Sequence, residues 1–235
     1  MIGFLASTMP EISIAPERLG HIGPLAVTNA QILGLVGSLV LLAVMWVTMR
    51  GVRRGSRSRF VTFIMWIFEG LYTTTIDVVG DKKVARKVFP LAVTLMFFFV
   101  INNWLELVPF LNAFTYDGKS VIRGAAADLN TTLGLAIVSM TTAQIWAIRR
   151  RGFFGNLGRY FSNPFKDFMH FFEGILEFVA EFSRTVALSF RIFGNIFGGE
   201  VLLAVMAYLT SYAGVIALPV FYVLEMFVGG VQGYV

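Results

Sequence analysis

Arg191 stands in an apolar run, Leu188-Ser189-Phe190-Arg191-Ile192-Phe193-Gly194. A guanidinium at the centre of a membrane helix costs ~2.5–3.5 kcal/mol on insertion scales. It also keeps its proton at every relevant pH, so it is a fixed positive charge. Such a charge can attract a carboxylate on a partner and can block a proton from passing straight through. Carboxylates surround it along the chain: Glu173, Glu177 and Glu181 before it, Glu200 after it, and Glu225 in the next apolar run. A carboxylate inside an apolar span is suited to exchanging protons. Asn195 and Gln232 add neutral groups that can hydrogen-bond to water or to these acids. The set is suited to moving ions.

Helical geometry organises the set. At ~100° per residue, Glu173, Arg184, Glu177, Asn195 and Glu181 fall within roughly 80° of Arg191 on an unbroken helix, and Glu200 falls on the opposite face. Each residue also has a plainer reading. Arg191 could be a packing charge paired within the chain, and Glu200 or Glu225 could face lipid headgroups near a helix end. Glu173 suits a solvated helix start, and Arg184 is expected to pair with Glu177 or Glu181. Gly194, Gly198 and Gly199 tilt the balance, because small residues let another helix come close.

The elements that carry these groups are membrane helices. Of the 235 residues 57% are hydrophobic and only 14% charged, and mean hydropathy is +0.74. A typical soluble domain carries roughly 25% charge. A first span runs over about 31–48 and is followed by Arg50, Arg53, Arg54, Arg57 and Arg59. Residues 60–79 contain Glu69 and Asp77 and end at Lys82, Lys83, Arg86 and Lys87. Basic clusters mark the cytoplasmic side, so both ends of this segment lie inside and it is expected to be interfacial or re-entrant. Residues 88–109 form a second span, 110–127 an outer loop with Asp117, Lys119 and Arg123, and 128–148 a third span. The third span returns to a cluster of Arg149, Arg150, Arg151, Arg159 and Lys166. Arg18, Lys119 and Arg123 are the basic residues left outside.

From Pro164 to about Leu209 the pattern stays helical for some 45 residues. At ~1.5 Å per residue that is about twice the ~30 Å hydrocarbon thickness. The helix is therefore expected to tilt steeply or to break near Gly194, Gly198 and Gly199. A last span covers 214–235. It stops without a polar flank, so further residues are expected beyond it. The fold class is all-α: one integral membrane domain over 1–235, with about five crossing helices and one interfacial helix. Residues 1–30 form an extracytoplasmic segment without the basic start of a signal peptide.

Composition excludes several functions. With no cysteine there are no disulfides and no thiolate metal sites. His21 and His170 are far apart, and no metal or other cofactor is expected. The net charge of +5 comes from clusters beside apolar runs, which signals membrane sidedness and not nucleic-acid binding. No internal repeat is evident, and there is no phosphate-cradling glycine loop.

These residues resemble subunit a of F-type ATP synthases. Ser189-Phe190-Arg191-Ile192-Phe193-Gly194-Asn195, followed by Gly199-Glu200, is similar to the family's arginine helix, with Phe190 and Ile192 as mild departures. Asp128-Leu129-Asn130-Thr131-Thr132-Leu133 resembles its aspartate-leucine-asparagine motif, and the run from Asn103 to Pro109 resembles its span ending. Val27-Thr28-Asn29 before the first span also fits, and the resemblance covers nearly the whole chain.

The resemblance implies that Arg191 faces the carboxylate of a rotating ring of c subunits, with Asn195 and Gln232 as polar neighbours. It implies that Glu200 and Glu225 form the acidic pair of an outer half-channel, where the family often has one carboxylate and one histidine. Glu177 then lies toward the inner half-channel and Asp128 at the outer entrance. Implied partners are the c-ring, the b-subunit peripheral stalk, the other ATP synthase subunits and the lipid bilayer of a bacterial inner membrane. The subunit itself performs no ATP chemistry. Two rival readings are a self-contained secondary transporter and a membrane scaffold.

Overall fold

The computed structural model describes residues 13, 15–22, 25–55, 58–108, 115–116, 119–120, 123–160, 168–210 and 214–234. The expectations placed on Arg57, Pro109, Asp117, Pro164 and Lys166 lie outside the described residues. The architecture is helical. Among the described residues, five helices are long and apolar enough to cross a membrane.

The chain opens on a small antiparallel hairpin, β1 (Arg18–Ile22) and β2 (Leu25–Thr28). Helix α1 (Asn29–Arg53) starts where Thr28 accepts the Gln31 N–H at 3.4 Å and the Gln31 side chain accepts the Thr28 N–H at 3.2 Å. This reciprocal pair satisfies two donors the helix start would leave bare. Helix α2 (Arg59–Val79) carries Glu69 and Asp77 and is not among the five apolar spans. Helix α3 (Lys82–Glu106) is capped by Asp81, whose carboxylate accepts the Lys83 N–H at 2.8 Å. The basic residues Lys82, Lys83, Arg86 and Lys87 therefore belong to the first turns of α3.

A second short hairpin, β3 (Thr115–Tyr116) with β4 (Lys119–Ser120), and a buried 3₁₀ turn at Ala125–Ala127 lie in what the sequence presents as an outer loop. Helix α4 (Leu129–Arg151) ends in three arginines. The short helix α5 (Phe153–Tyr160) follows and has no counterpart in the sequence reading. Helix α6 (Phe168–Thr210) is continuous through Gly194, Gly198 and Gly199, so of the two alternatives, tilt or break, the break is not found. Apolar side chains on both sides of the glycines keep the helix preferable to exposed peptide groups in lipid. Its 43 residues correspond to about 65 Å of helical rise, about twice a ~30 Å core. Helix α7 (Gly214–Tyr234) closes the described chain.

The residues form two compact units, 1–127 with 195–235, and 128–194. In the first, α3 packs on α1, α2 and α7. Gly37 makes the α1–α3 crossing possible, since a Cβ there would overlap the Asn102 amide. Asn102 is buried and donates to the Phe98 carbonyl at 2.8 Å. The Trp104 indole donates to the Met226 carbonyl at 3.2 Å, tying the end of α3 to α7. Leu35, Leu39 and Leu42 of α1 stay exposed, as expected for a surface that meets lipid. In the second unit, α4 and α5 pack together and the first part of α6 joins them.

Candidate functional site

In the first unit an acidic cluster forms around one guanidinium. Glu200 on α6 accepts Arg123 Nε at 3.3 Å, and Arg123 Nη1 donates to the Ala15 carbonyl at 3.0 Å. Arg123 is only 7% exposed and lies 5.6 Å from the Phe197 ring centroid. Glu106, at the end of α3, accepts the Gly124 N–H and is within electrostatic reach of Glu200, Arg123 and Glu225. The Glu225 carboxylate of α7 rests on Gly199 of α6, where any Cβ would overlap it. Gly199 thus admits the acid between two helices. Nearby, Asn195 Nδ2 donates to Gln232 Oε1 at 2.5 Å, joining α6 to α7 through two amides. Both polar atoms of the buried Asn103 amide lack a partner among the described residues.

In the second unit Arg191 is exposed and makes no ion pair among the described residues. Its outward direction has a cause. Ser189, two positions earlier and so about 160° around the helix, is fully buried and shares a 3.1 Å hydrogen bond with the buried Thr132 hydroxyl of α4. Ile192 is buried as well. With those residues held inward, the guanidinium must leave on the open face. Arg184, Ala187 and Gly194 are also exposed.

A polar network joins α4, α5 and α6. Arg159 makes ion pairs with Glu177 and, at 3.1 Å, with Glu181. The Tyr160 hydroxyl also donates to Glu181, and Gln144 Nε2 reaches Glu181 at 2.5 Å and Tyr160 at 3.1 Å. Burial first, and then the bond to Glu181, pushes the Tyr160 phenol above its ordinary value. The Glu177 carboxylate likewise holds the Arg159 guanidinium more firmly protonated. Here the sequence reading is corrected. Among the described residues Arg159 of α5, and not Arg184, lies within ion-pair distance of Glu177 and Glu181. Arg184 is exposed, whereas α5 brings Arg159 directly over both acids. Replacing Arg159 by alanine is expected to cost about 2–3 kcal/mol, because two carboxylates lose a charge-assisted partner. Thermal unfolding of the purified chain reads that loss as a lower midpoint.

Asp128 is 3% exposed and caps α4: its carboxylate accepts the Asn130 N–H at 3.0 Å, the Asn130 amide at 3.2 Å and the Thr131 hydroxyl at 3.2 Å. Asp128→Ala is expected to cost about 1 kcal/mol through the lost cap, and Asp128→Asn to restore most of it in the same melting measurement.

A family model described as ATP synthase A chain matches residues 32–235. The ATP synthase subunit a of Desulforamulus reducens is 30% identical over 223 residues, covering 87% of this chain and 78% of the relative. The Campylobacter jejuni serotype O:6 protein of the same name is 33% identical over 205 residues, covering 86% of this chain and 82% of the relative. The Acidothermus cellulolyticus protein is 28% identical, and the match spans 64% of its length. The chain belongs to the ATP synthase A chain family.

Within that family setting, the structure sorts the expected residues. It brings Asn195 to Gln232, and Glu200 and Glu225 to a common cluster. Sequence reasoning missed Glu106 and Arg123 as members of that cluster. For Glu106 the available signal was an acid inside the apolar Trp104–Val108 run. For Arg123 it was the small-residue stretch Gly124-Ala125-Ala126-Ala127, too poor in polar groups for an open loop. The A chain is a multi-pass membrane subunit, tied by its family and its five apolar helices to proton transport and ATP synthesis.

Proposed function

We propose that this chain is the proton-conducting, non-catalytic subunit of a rotary ATP synthase in a bacterial inner membrane. Its N-terminus lies outside, its basic clusters lie inside, and α2 lies along the inner surface. Its partners are a c-subunit ring, the b-subunit stalk and the remaining subunits of the complex. The observation that carries the reading is Arg191: exposed, without an ion pair among the described residues, and central in an apolar helix beside small residues. A charge so costly to place in lipid needs a partner from outside the chain.

Protons enter from outside along Glu200, Glu225 and Glu106, with Asn195 and Gln232 beside them. A buried amide can be satisfied by ordered water, so Asn103, unpartnered among the described residues, offers a further relay point. The proton neutralises a ring carboxylate, which can then turn through lipid because the desolvation cost of its charge is gone. After most of a turn it is released toward Glu177 and the cytoplasm. Arg191 keeps the two routes apart. Each charge that crosses yields ~2.3 kcal/mol per 100 mV, so several must be gathered for one ATP.

The test is proton-driven ATP synthesis in vesicles bearing the assembled complex, wild type against Arg191→Ala, with assembly verified in both. Lost synthesis with intact assembly supports the reading. Synthesis near the wild-type rate would make Arg191 a packing charge and the chain a scaffold.

A further inference from the structure

We propose that the corner between α1 and α2 binds the phosphate group of an anionic phospholipid. The end of α1 and the start of α2 enclose an open hollow of ≈ 280 Å³, lined by Trp46, Arg50, Gly51, Arg54, Ser58 and Phe60 among others. Among the described residues no acidic side chain lines it. Arg50 and Arg54 are one helical turn apart, and neither makes an ion pair among the described residues. The Arg50 guanidinium lies 3.9 Å from the Trp46 ring centroid. That stacking holds it at the wall of the hollow while leaving its in-plane N–H groups free for oxygen acceptors.

The Ser58 hydroxyl caps no N–H of α2 and is a further donor. The floor depends on Gly51, where a Cβ would come within 2.5 Å of Val61 Cγ2. With glycine there, α2 sits close against α1 and the arginines flank a real recess. Arginine matches phosphate because its forked donors meet two oxygens at once.

The walls favour lipid over free phosphate. Trp46 is 55% and Phe60 45% exposed beside the arginines, giving an apolar surface that a free anion would not use and an acyl chain would. Phe63 and Trp66 continue an exposed apolar surface along α2. Arginines at the end of a spanning helix stand at headgroup height, where anionic lipids are attracted.

Native mass spectrometry of the full chain, released from detergent micelles and titrated with dioleoyl phosphatidylglycerol, tests this. Arg50→Gln with Arg54→Gln is expected to weaken the tightest lipid about 30-fold, from ~1 kcal/mol per arginine near an anionic headgroup. Lys82→Gln with Lys83→Gln removes the same charge elsewhere and should leave that affinity unchanged. Phosphatidylcholine should not compete. Equal affinity in the arginine variant and the wild type overturns the proposal. Displacement of the lipid by millimolar inorganic phosphate also overturns it, in favour of a free-anion site. If the glutamine variant loses helicity by circular dichroism, Arg50→Lys with Arg54→Lys decides. It keeps both charges but not the forked geometry, so about a three-fold loss supports the site and no loss overturns it.

Discussion

Arg191→Ala is expected to lower proton-driven ATP synthesis by about 100-fold or more, a change worth ~2.7 kcal/mol or above in an activation barrier. The same variant should assemble normally. Its side chain is exposed and makes no ion pair among the described residues, so alanine opens no cavity and orphans no acid. The fold is held away from the exposed face by the Ser189–Thr132 hydrogen bond and by buried Ile192, which the substitution does not touch. A second readout separates the proposed role from a loss of attraction alone. Without a fixed cation between the two routes, vesicles carrying the variant should leak protons passively, measured as faster decay of an imposed pH gradient. Arg191→Lys keeps a charge but not the rigid fork, so it should suppress the leak while recovering only part of the synthesis. Unchanged synthesis together with an unchanged leak would remove Arg191 from the mechanism.

Arg123→Gln and Glu200→Gln are each expected to destabilise the chain by about 2–3 kcal/mol, at the low end for a buried pair because Glu200 is partly open to its surroundings. Arg123 is deeply buried and bonded to Glu200 and the Ala15 carbonyl, so each single change leaves one side poorly compensated. The double variant should recover most of the lost stability, since neither charge then remains alone. Its ATP synthesis should not recover, because the acid proposed to pass the proton is still missing. Thermal melts of the purified chain and synthesis rates of the assembled complex measure the two effects separately. If stability and synthesis recover together, the pair is structural only.

Much of the fold was legible in the sequence for a physical reason. A bilayer imposes a length of about 20 apolar residues on each crossing helix, and arginine clusters punctuate the spans. The five crossing helices, the separate character of 59–79 and the ends of α6 and α7 follow from those rules to within a few residues. The start of α4 at the Asp128 motif was legible too, because capping is a local interaction. The short helix α5 was not. Its eight residues carry too little periodicity to stand out, and packing on α4 with the Arg159 and Tyr160 bonds to α6 supports it.

For the candidate site, the sequence by itself determined which groups are available: one arginine amid apolar residues, several acids in spans, and glycines beside them. Helical spacing also separates Arg191 from Glu200 around α6. Pairing was decided only by the tertiary structure. Glu177 and Glu181 meet Arg159 instead of Arg184, and Glu200 meets Arg123 from 77 residues away. Glu106 joins Glu225 because α3 packs on α7. Side chains near in sequence were the natural partners to expect, yet in a helix bundle the partner of a buried charge is set by which helix face lies opposite. That depends on contacts such as Gly37 against Asn102 and Gly199 against Glu225, which no periodicity along a single chain segment encodes.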